Sequence, residues 1–138
     1  MIHADLDKLF NLLIPFAQQQ LEKNGSFYPY AATIGLNQEI TMVNLLLGEY
    51  PNSTDMIDKF NLILGTEADN HKLVAAGMTF DVKIPRAGDT IDAMQTNLEH
   101  ENGESIAVYL PYKVIGDSSV EYDDLISQRK PKTWFTQS

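Results

Sequence analysis

The residues best suited to chemistry in this sequence are three consecutive ionisable side chains, Glu99, His100 and Glu101. Histidine and carboxylate groups can bind a metal ion or transfer a proton, and Asp81 on a neighbouring predicted strand is a further candidate. Successive side chains of a β-strand point to opposite faces, so these groups cannot converge without a bulge. We therefore interpret them as surface residues at the end of a hairpin.

The remaining candidate groups form no known catalytic or metal-binding motif. His3 and His71 are isolated and lack the HxxxH or HExxH spacing of zinc ligands. Cysteine is absent, which excludes disulfides, thiolate ligands and cysteine nucleophiles. No G-x-S-x-G motif, phosphate loop or dinucleotide fingerprint occurs. We predict no catalytic residue, no metal site and no cofactor, and we expect a protein that is not an enzyme.

An aromatic segment, Phe27-Tyr28-Pro29-Tyr30, is a candidate ligand groove, which Tyr109 and Tyr112 of the last predicted strand can join. Core packing is the simpler explanation, because aromatic residues favour strands and proline stiffens the backbone. We predict that Tyr28 and Tyr30 face the helices. Tyr109 is the aromatic residue expected on the exposed face, where a partner can reach it.

The charge of the chain restricts its partners. The 138 residues are 43% hydrophobic and 21% charged, which is typical of one globular domain, and the net charge is −9 with a pI of about 4.6. This charge repels nucleic-acid phosphates and attracts a basic protein. A solvated acidic surface is one explanation, and an acidic patch that captures a basic toxin or nuclease is the other. The predicted partner-binding residues are Asp55, Asp58, Glu99, Glu101, Glu104 and Tyr109.

The N-terminal segment MIHADLDKLF resembles neither a signal peptide nor a membrane anchor. Asp5, Asp7 and Lys8 fall before or within the apolar stripe, and no basic region precedes it. The apolar stretch at residues 12–17 is far shorter than the roughly 20 residues that a membrane helix needs. We expect no membrane contact and, since cysteine is absent, a cytoplasmic location.

Periodicity predicts two helices. Apolar residues at three- and four-residue steps indicate a helix over residues 4–24, which Asn24-Gly25 ends and in which Pro15 breaks one hydrogen bond. The loop at residues 51–55 offers Ser, Thr or Asp as the N-cap of a second helix over residues 54–68.

Alternation predicts five strands. A hairpin joins residues 28–36 to residues 40–42, and three further strands cover residues 76–84, 94–100 and 106–114. The pair Asn102-Gly103 predicts a type I′ turn between the last two. The predicted fold is α+β, in the order helix-strand-strand-helix-strand-strand-strand, with a mostly antiparallel sheet and both helices on one face. Residues 1–115 form this domain, and residues 116–138 form either a loosely packed tail or a tail with a short helix near residues 121–129.

Several short motifs resemble those of a group of small bacterial α+β proteins of unassigned function. They are FYPYA at residues 27–31, DAM at 92–94, LEHENGE at 98–104 and LPY at 110–112. The resemblance covers about residues 5–115, although Asn37-Gln38 replaces the Asp-Gly of such proteins, and it implies no catalytic residue. In class and charge the chain also resembles immunity proteins of bacterial toxin systems.

These observations predict a non-enzymatic protein-interaction module, most specifically an acidic inhibitor or immunity protein that binds a basic bacterial toxin. The first alternative is a structural domain that forms a homodimer or larger oligomer, with Trp134 and Phe135 adding apolar contact. The second alternative is a small-ligand-binding protein or an enzyme with a pocket between the helices and the sheet.

Overall fold

The structure is a computed structural model that describes residues 3–45, 52–116 and 119–136. It has two helices and one seven-stranded sheet in which each strand pair is antiparallel. The α+β class and the antiparallel sheet are thus confirmed. Within the described residues, neither helix is long and apolar enough to cross a membrane. The elements are α1 (Ala4–Asn24), β1 (Tyr30–Gly35), β2 (Ile40–Met42), α2 (Ser53–Asp69), β3 (Leu73–Arg86), β4 (Asp89–His100), β5 (Ser105–Gly116), β6 (Ser119–Tyr122) and β7 (Ile126–Arg129).

The two helices begin and end close to the predicted positions. Helix α1 continues through Pro15 and ends at Gly25, whose φ of 76° is the left-handed conformation that glycine tolerates. Helix α2 is capped by Asn52, whose side chain accepts hydrogen bonds from the backbone N–H groups of Thr54 and Asp55. Pro51, where the predicted loop begins, lies outside the described residues.

The helices cover opposite faces of the sheet, so the prediction that they share one face is wrong. On the first face, Leu6, Leu9 and Leu13 of α1 pack with Leu98 and Val108. On the second face, Met56, Phe60 and Leu64 of α2 pack with Ala76 and Met78 of β3. The reason lies in β3, whose residues 73–79 are all buried, as in a strand that is covered on both sides.

The hairpins form as predicted, but their turns differ. Asn102 keeps a negative φ, and only Gly103 is left-handed at φ 103°. The backbone N–H of His100 donates to the carbonyl of Glu104, so this is a three-residue loop with a terminal left-handed residue instead of a type I′ turn. The two consecutive positive φ angles that a type I′ turn needs occur at Ala87 and Gly88, between β3 and β4.

The segment predicted to be a loosely packed tail is part of the fold. β6 and β7 both pair with β5 and cover successive stretches of its outer edge, so the short helix predicted near residues 121–129 is wrong. Beyond them, Trp134 and Phe135 are buried in the core beneath α2. These two aromatic side chains are therefore not available for contact with another chain. Of the predicted tail, residues 117, 118, 137 and 138 lie outside the described residues.

Candidate functional site

Glu99 is fully buried, so its predicted place among the exposed residues of the hairpin is wrong. Its side chain lies on the second face, where the C-terminal segment supplies donors to it. One carboxylate oxygen accepts from Lys130 Nζ at 2.7 Å and from the N–H of Thr133 at 2.8 Å. The other accepts from the N–H groups of Trp134 and Phe135 at 2.9 and 3.1 Å. Glu99 therefore anchors residues 130–135 and has no lone pair free for a partner.

A cluster of ionisable groups that the sequence does not predict joins the start of α1 to the end of β4. His100 and Asp5 are both buried, and His100 Nε2 lies 3.0 Å from Asp5 Oδ2. The ring of His3 stacks on the ring of His100 with a centroid distance of 3.9 Å, and its Nδ1 is 3.5 Å from Asp5 Oδ2. His3, which was predicted to be isolated, and His100, which was predicted to lie on the surface of a hairpin end, are thus brought together around one carboxylate.

The spacing of these three residues suits a metal ion, but their hydrogen bonds do not. Their ligand atoms lie within 4.8 Å of one another, and a tetrahedral zinc ion needs separations of about 3.4 Å. Nδ1 of His100 accepts the N–H of Asn102, which leaves its proton on Nε2 facing Asp5. Nδ1 of His3 accepts the N–H of Asp5. Nδ1 of each histidine, the ring atom that could hold a metal or take a proton, therefore already has a donor. The cluster joins α1 to the β4–β5 turn.

The two predicted glutamates of the β4–β5 turn have different surroundings. Glu104 accepts hydrogen bonds from the N–H of His3 and from the side chain of Asn102, and these two contacts lower the pKa of its carboxyl group. Glu101 is exposed and lines the same cavity as Asp69, the last residue of α2. Glu104 thus belongs to the His3 cluster, while Glu101 is free to extend the surface of α2.

The outward side of α2 carries two of the six predicted partner-binding residues, Asp55 and Asp58. Asp55, Asp58, Leu62 and Asp69 are exposed and follow one another at helical spacing along the same side. Leu62 is 71% exposed, more than any other large apolar side chain in the described residues. We call these four residues, together with Glu101, the acidic stripe. The structure thus places Asp55 and Asp58 on one side of α2, which extends for about 20 Å between Asp55 and Asp69, and Glu101 shares a cavity with Asp69 at its C-terminal end.

Tyr109 is half-buried on the second face of the sheet. It pairs with Gln95 on β4, and its hydroxyl accepts a hydrogen bond from Gln128 of β7 at 3.2 Å. Tyr28, which was predicted to face the helices, is instead 49% exposed. β1 begins only at Tyr30, so Tyr28 lies outside the sheet.

A cavity of about 490 Å³ lies where the end of α1, residues 26–30 and the start of α2 meet. Phe27, Tyr28 and Tyr30 supply its aromatic lining, and Asp81 supplies a carboxylate. Oδ1 of Asp81 accepts the hydroxyl of Tyr112 at 2.7 Å. Partial burial raises the pKa of the Asp81 carboxyl group above its usual value.

Comparison with protein-family models, with curated proteins and with solved structures found no match for this chain. The resemblance to small bacterial proteins and to immunity proteins therefore stays a prediction, which rests on the motifs and the charge described above.

Proposed function

We propose that this chain is a protein-interaction module whose acidic stripe binds a basic protein, and that the partner is a bacterial toxin which the chain inhibits as an immunity protein. The observation that carries the proposal is the unpaired charge of α2. Its residues include four carboxylates and one lysine, a net charge of −3. Among the described residues, no cationic group lies within 4.0 Å of any carboxylate of the stripe.

The stripe also has the composition of a protein contact surface. Leu62 is an apolar side chain between Asp58 and Asp69, so a partner that covers it removes apolar area from water while its cations approach the acids. Complementary charge accelerates the encounter of two proteins and selects against acidic competitors. Because an inhibitor works by covering its target, this function needs no catalytic group in the chain.

The test uses the protein encoded by the open reading frame next to this gene. Co-expression should restore the growth of cells that this neighbour inhibits, and binding of the two purified proteins should weaken with added salt. Asp55→Lys should reduce affinity and protection at least about tenfold. Asp7→Lys is the matched control, because Asp7 is also an exposed acid in the first turn of a helix, on the opposite face. Equal affinity and protection in both variants, or no binding of the neighbour, would refute the proposal.

Self-association is the second candidate function. Val114, Ile115, Leu125 and Ile126 are large apolar side chains, each at least 43% exposed, on or next to the strands that end the sheet. An exposed apolar surface near a sheet edge favours contact with a second copy. Light scattering at millimolar concentration should then give the mass of a dimer, and the mass of a monomer would exclude this alternative.

A further inference from the structure

We propose that the cavity at Asp81 receives one lysine or arginine side chain of the basic partner. This inference rests on the proposed function, since it names a contact that the partner makes beside the acidic stripe. The cavity combines a carboxylate, exposed aromatic surface and a position next to α2. The carboxylate favours a cation, and the aromatic surface favours the apolar stem that carries it. The position next to α2 places the cavity near the acidic stripe.

The position of Asp81 follows from the register of the sheet. β1 pairs with β3 only as far as Tyr30 and Thr79, so Asp81 is the first residue on the same face beyond the paired stretch. At this point the edge of β3 is open, and the end of α1 and the start of α2 line the cavity beside it. Ser53 lines the cavity and is two residues from Asp55. The cavity therefore borders the N-terminal end of the helix that carries the acidic stripe.

The carboxylate of Asp81 lacks a cationic partner of its own. Among the described residues, no ion pair includes Asp81, and the nearby Lys83 donates to Asp92 at 2.7 Å instead. Its hydrogen bond from Tyr112 occupies only Oδ1. Asp81 is exposed, so a partner can reach its carboxylate from solvent, and partial burial still raises the pKa of the carboxyl group. A guanidinium or ammonium group would supply the missing charge through a charge-assisted hydrogen bond.

The aromatic lining suits the rest of such a side chain. Tyr28 is half-exposed, and Tyr30 is held by an edge contact with Phe16 at a centroid distance of 4.5 Å. Aromatic faces attract lysine and arginine cations and cover their methylene stems. The cavity volume of about 490 Å³ lies in the range of about 300–1,000 Å³ that is typical of pockets for small groups.

The direct test is a titration followed by NMR with Nα-acetyl-arginine methylamide. Signals of Tyr28, Tyr30 and Asp81 should shift and saturate with a dissociation constant in the millimolar range, as expected for one isolated side chain. Nα-acetyl-citrulline methylamide has nearly the same shape without the charge and should cause no saturable shift. Asp81→Asn, which keeps an acceptor for Tyr112, should abolish the arginine response, while Asp7→Asn should preserve it. Equal responses to both compounds, or an unchanged response in Asp81→Asn, would overturn the inference.

A second measurement separates this inference from the proposed function. With the basic neighbour protein as ligand, Asp81→Asn and Tyr28→Ala should each weaken binding at least about tenfold. If Asp55→Lys weakens binding but these two variants do not, the cavity inference fails and the proposed function stands. If none of the three weakens binding, both fail. If free arginine amide binds with micromolar affinity, the cavity serves a small molecule, and the assignment to a partner side chain is wrong.

Discussion

Replacing Glu99 with alanine should release the C-terminal segment and strongly destabilise the protein. The side chain is completely shielded from solvent and accepts four hydrogen bonds, three of them from consecutive backbone N–H groups. The fourth donor is the ammonium group of Lys130, whose side chain is only 12% exposed. Without the carboxylate, the three N–H groups lose their acceptor and the Lys130 charge loses its counter-ion. These groups then either stay buried or leave the core together with Trp134 and Phe135.

The size of the effect follows from the kind of interaction that is lost. Removing one member of a buried ion pair costs about 3–5 kcal/mol, because the partner charge remains uncompensated. The segment avoids part of this cost by detaching, but it then exposes the two aromatic side chains, which are worth about 1.5–3 kcal/mol each when buried. We therefore expect Glu99→Ala to lower the free energy of unfolding by about 3–5 kcal/mol.

Urea denaturation measures this loss, and Trp134 reports on the segment because it is the only tryptophan in the chain. In Glu99→Ala its fluorescence should show solvent exposure at lower urea than the loss of secondary structure seen by circular dichroism. Glu101→Ala is the matched control, since Glu101 is a nearby exposed glutamate, and it should change stability by less than about 0.5 kcal/mol. If Glu99→Ala also stays within that limit, the anchoring role derived from the hydrogen bonds is refuted.

Three further predictions concern other parts of the sheet. Thr79 and Thr96 are buried and their hydroxyl oxygens are 2.7 Å apart. Thr79→Val leaves the Thr96 hydroxyl without a partner and should lower the free energy of unfolding, measured by urea denaturation, by about 1–3 kcal/mol. The Thr79→Val/Thr96→Val double variant leaves no unpaired hydroxyl and should recover most of that free energy. Ala87 holds a positive φ of 52° in a type I′ turn, so Ala87→Asn should raise the stability by about 0.5–1 kcal/mol; a loss would contradict the turn assignment. Burial, with Glu22 as a smaller cause, raises the pKa of Tyr122 from 10.0 to about 12. As the pH rises, the unfolded chain therefore loses the Tyr122 proton before the folded chain does, and the free energy of unfolding should fall between about pH 10 and pH 12. Tyr122→Phe should reduce that fall in urea denaturation, and an identical pH profile would count against the assigned pKa.

Regular periodicity made much of the fold predictable. The apolar stripe of α1 runs from Leu6 to Leu21, and the alternation in β3, β4 and β5 is long, so local pattern and tertiary packing agree there. The prediction for the position of α2 is wrong because the alternation of residues 76–84 indicates a strand with only one buried face. The preceding residues LVAA, at 73–76, are apolar on both sides, and they carry the signal that this strand is covered on both faces.

The C-terminal strands had no comparable signal. β6 and β7 are four residues each, and β7 is exposed throughout, so neither shows the apolar alternation of a half-buried strand. They form because the edge of β5 offers unpaired backbone groups to a chain that folds back along it. The burial of Glu99 was equally hidden, because its donors lie 31 to 36 positions away in the sequence.

The candidate sites also differ in how far local sequence predicts them. The spacing of Asp55, Asp58, Leu62 and Asp69 alone predicts that they share the outward side of a helix. The contact between His3, Asp5 and His100 depends on tertiary packing, which brings the start of α1 beside the end of β4. The cavity at Asp81 depends on where β1 stops pairing with β3, which no local pattern specifies.

The carboxylate anchor of residues 130–135 also bears on the order in which the chain folds during synthesis. β3, β4 and β5 leave the ribosome before the donors that neutralise their central glutamate. Until then the three strands carry the Glu99 carboxylate on the second face without the groups that donate to it. The second face can therefore be completed only after residues 130–135 have been synthesised. A nascent chain that stops before these residues would be an early target for chaperones and proteases.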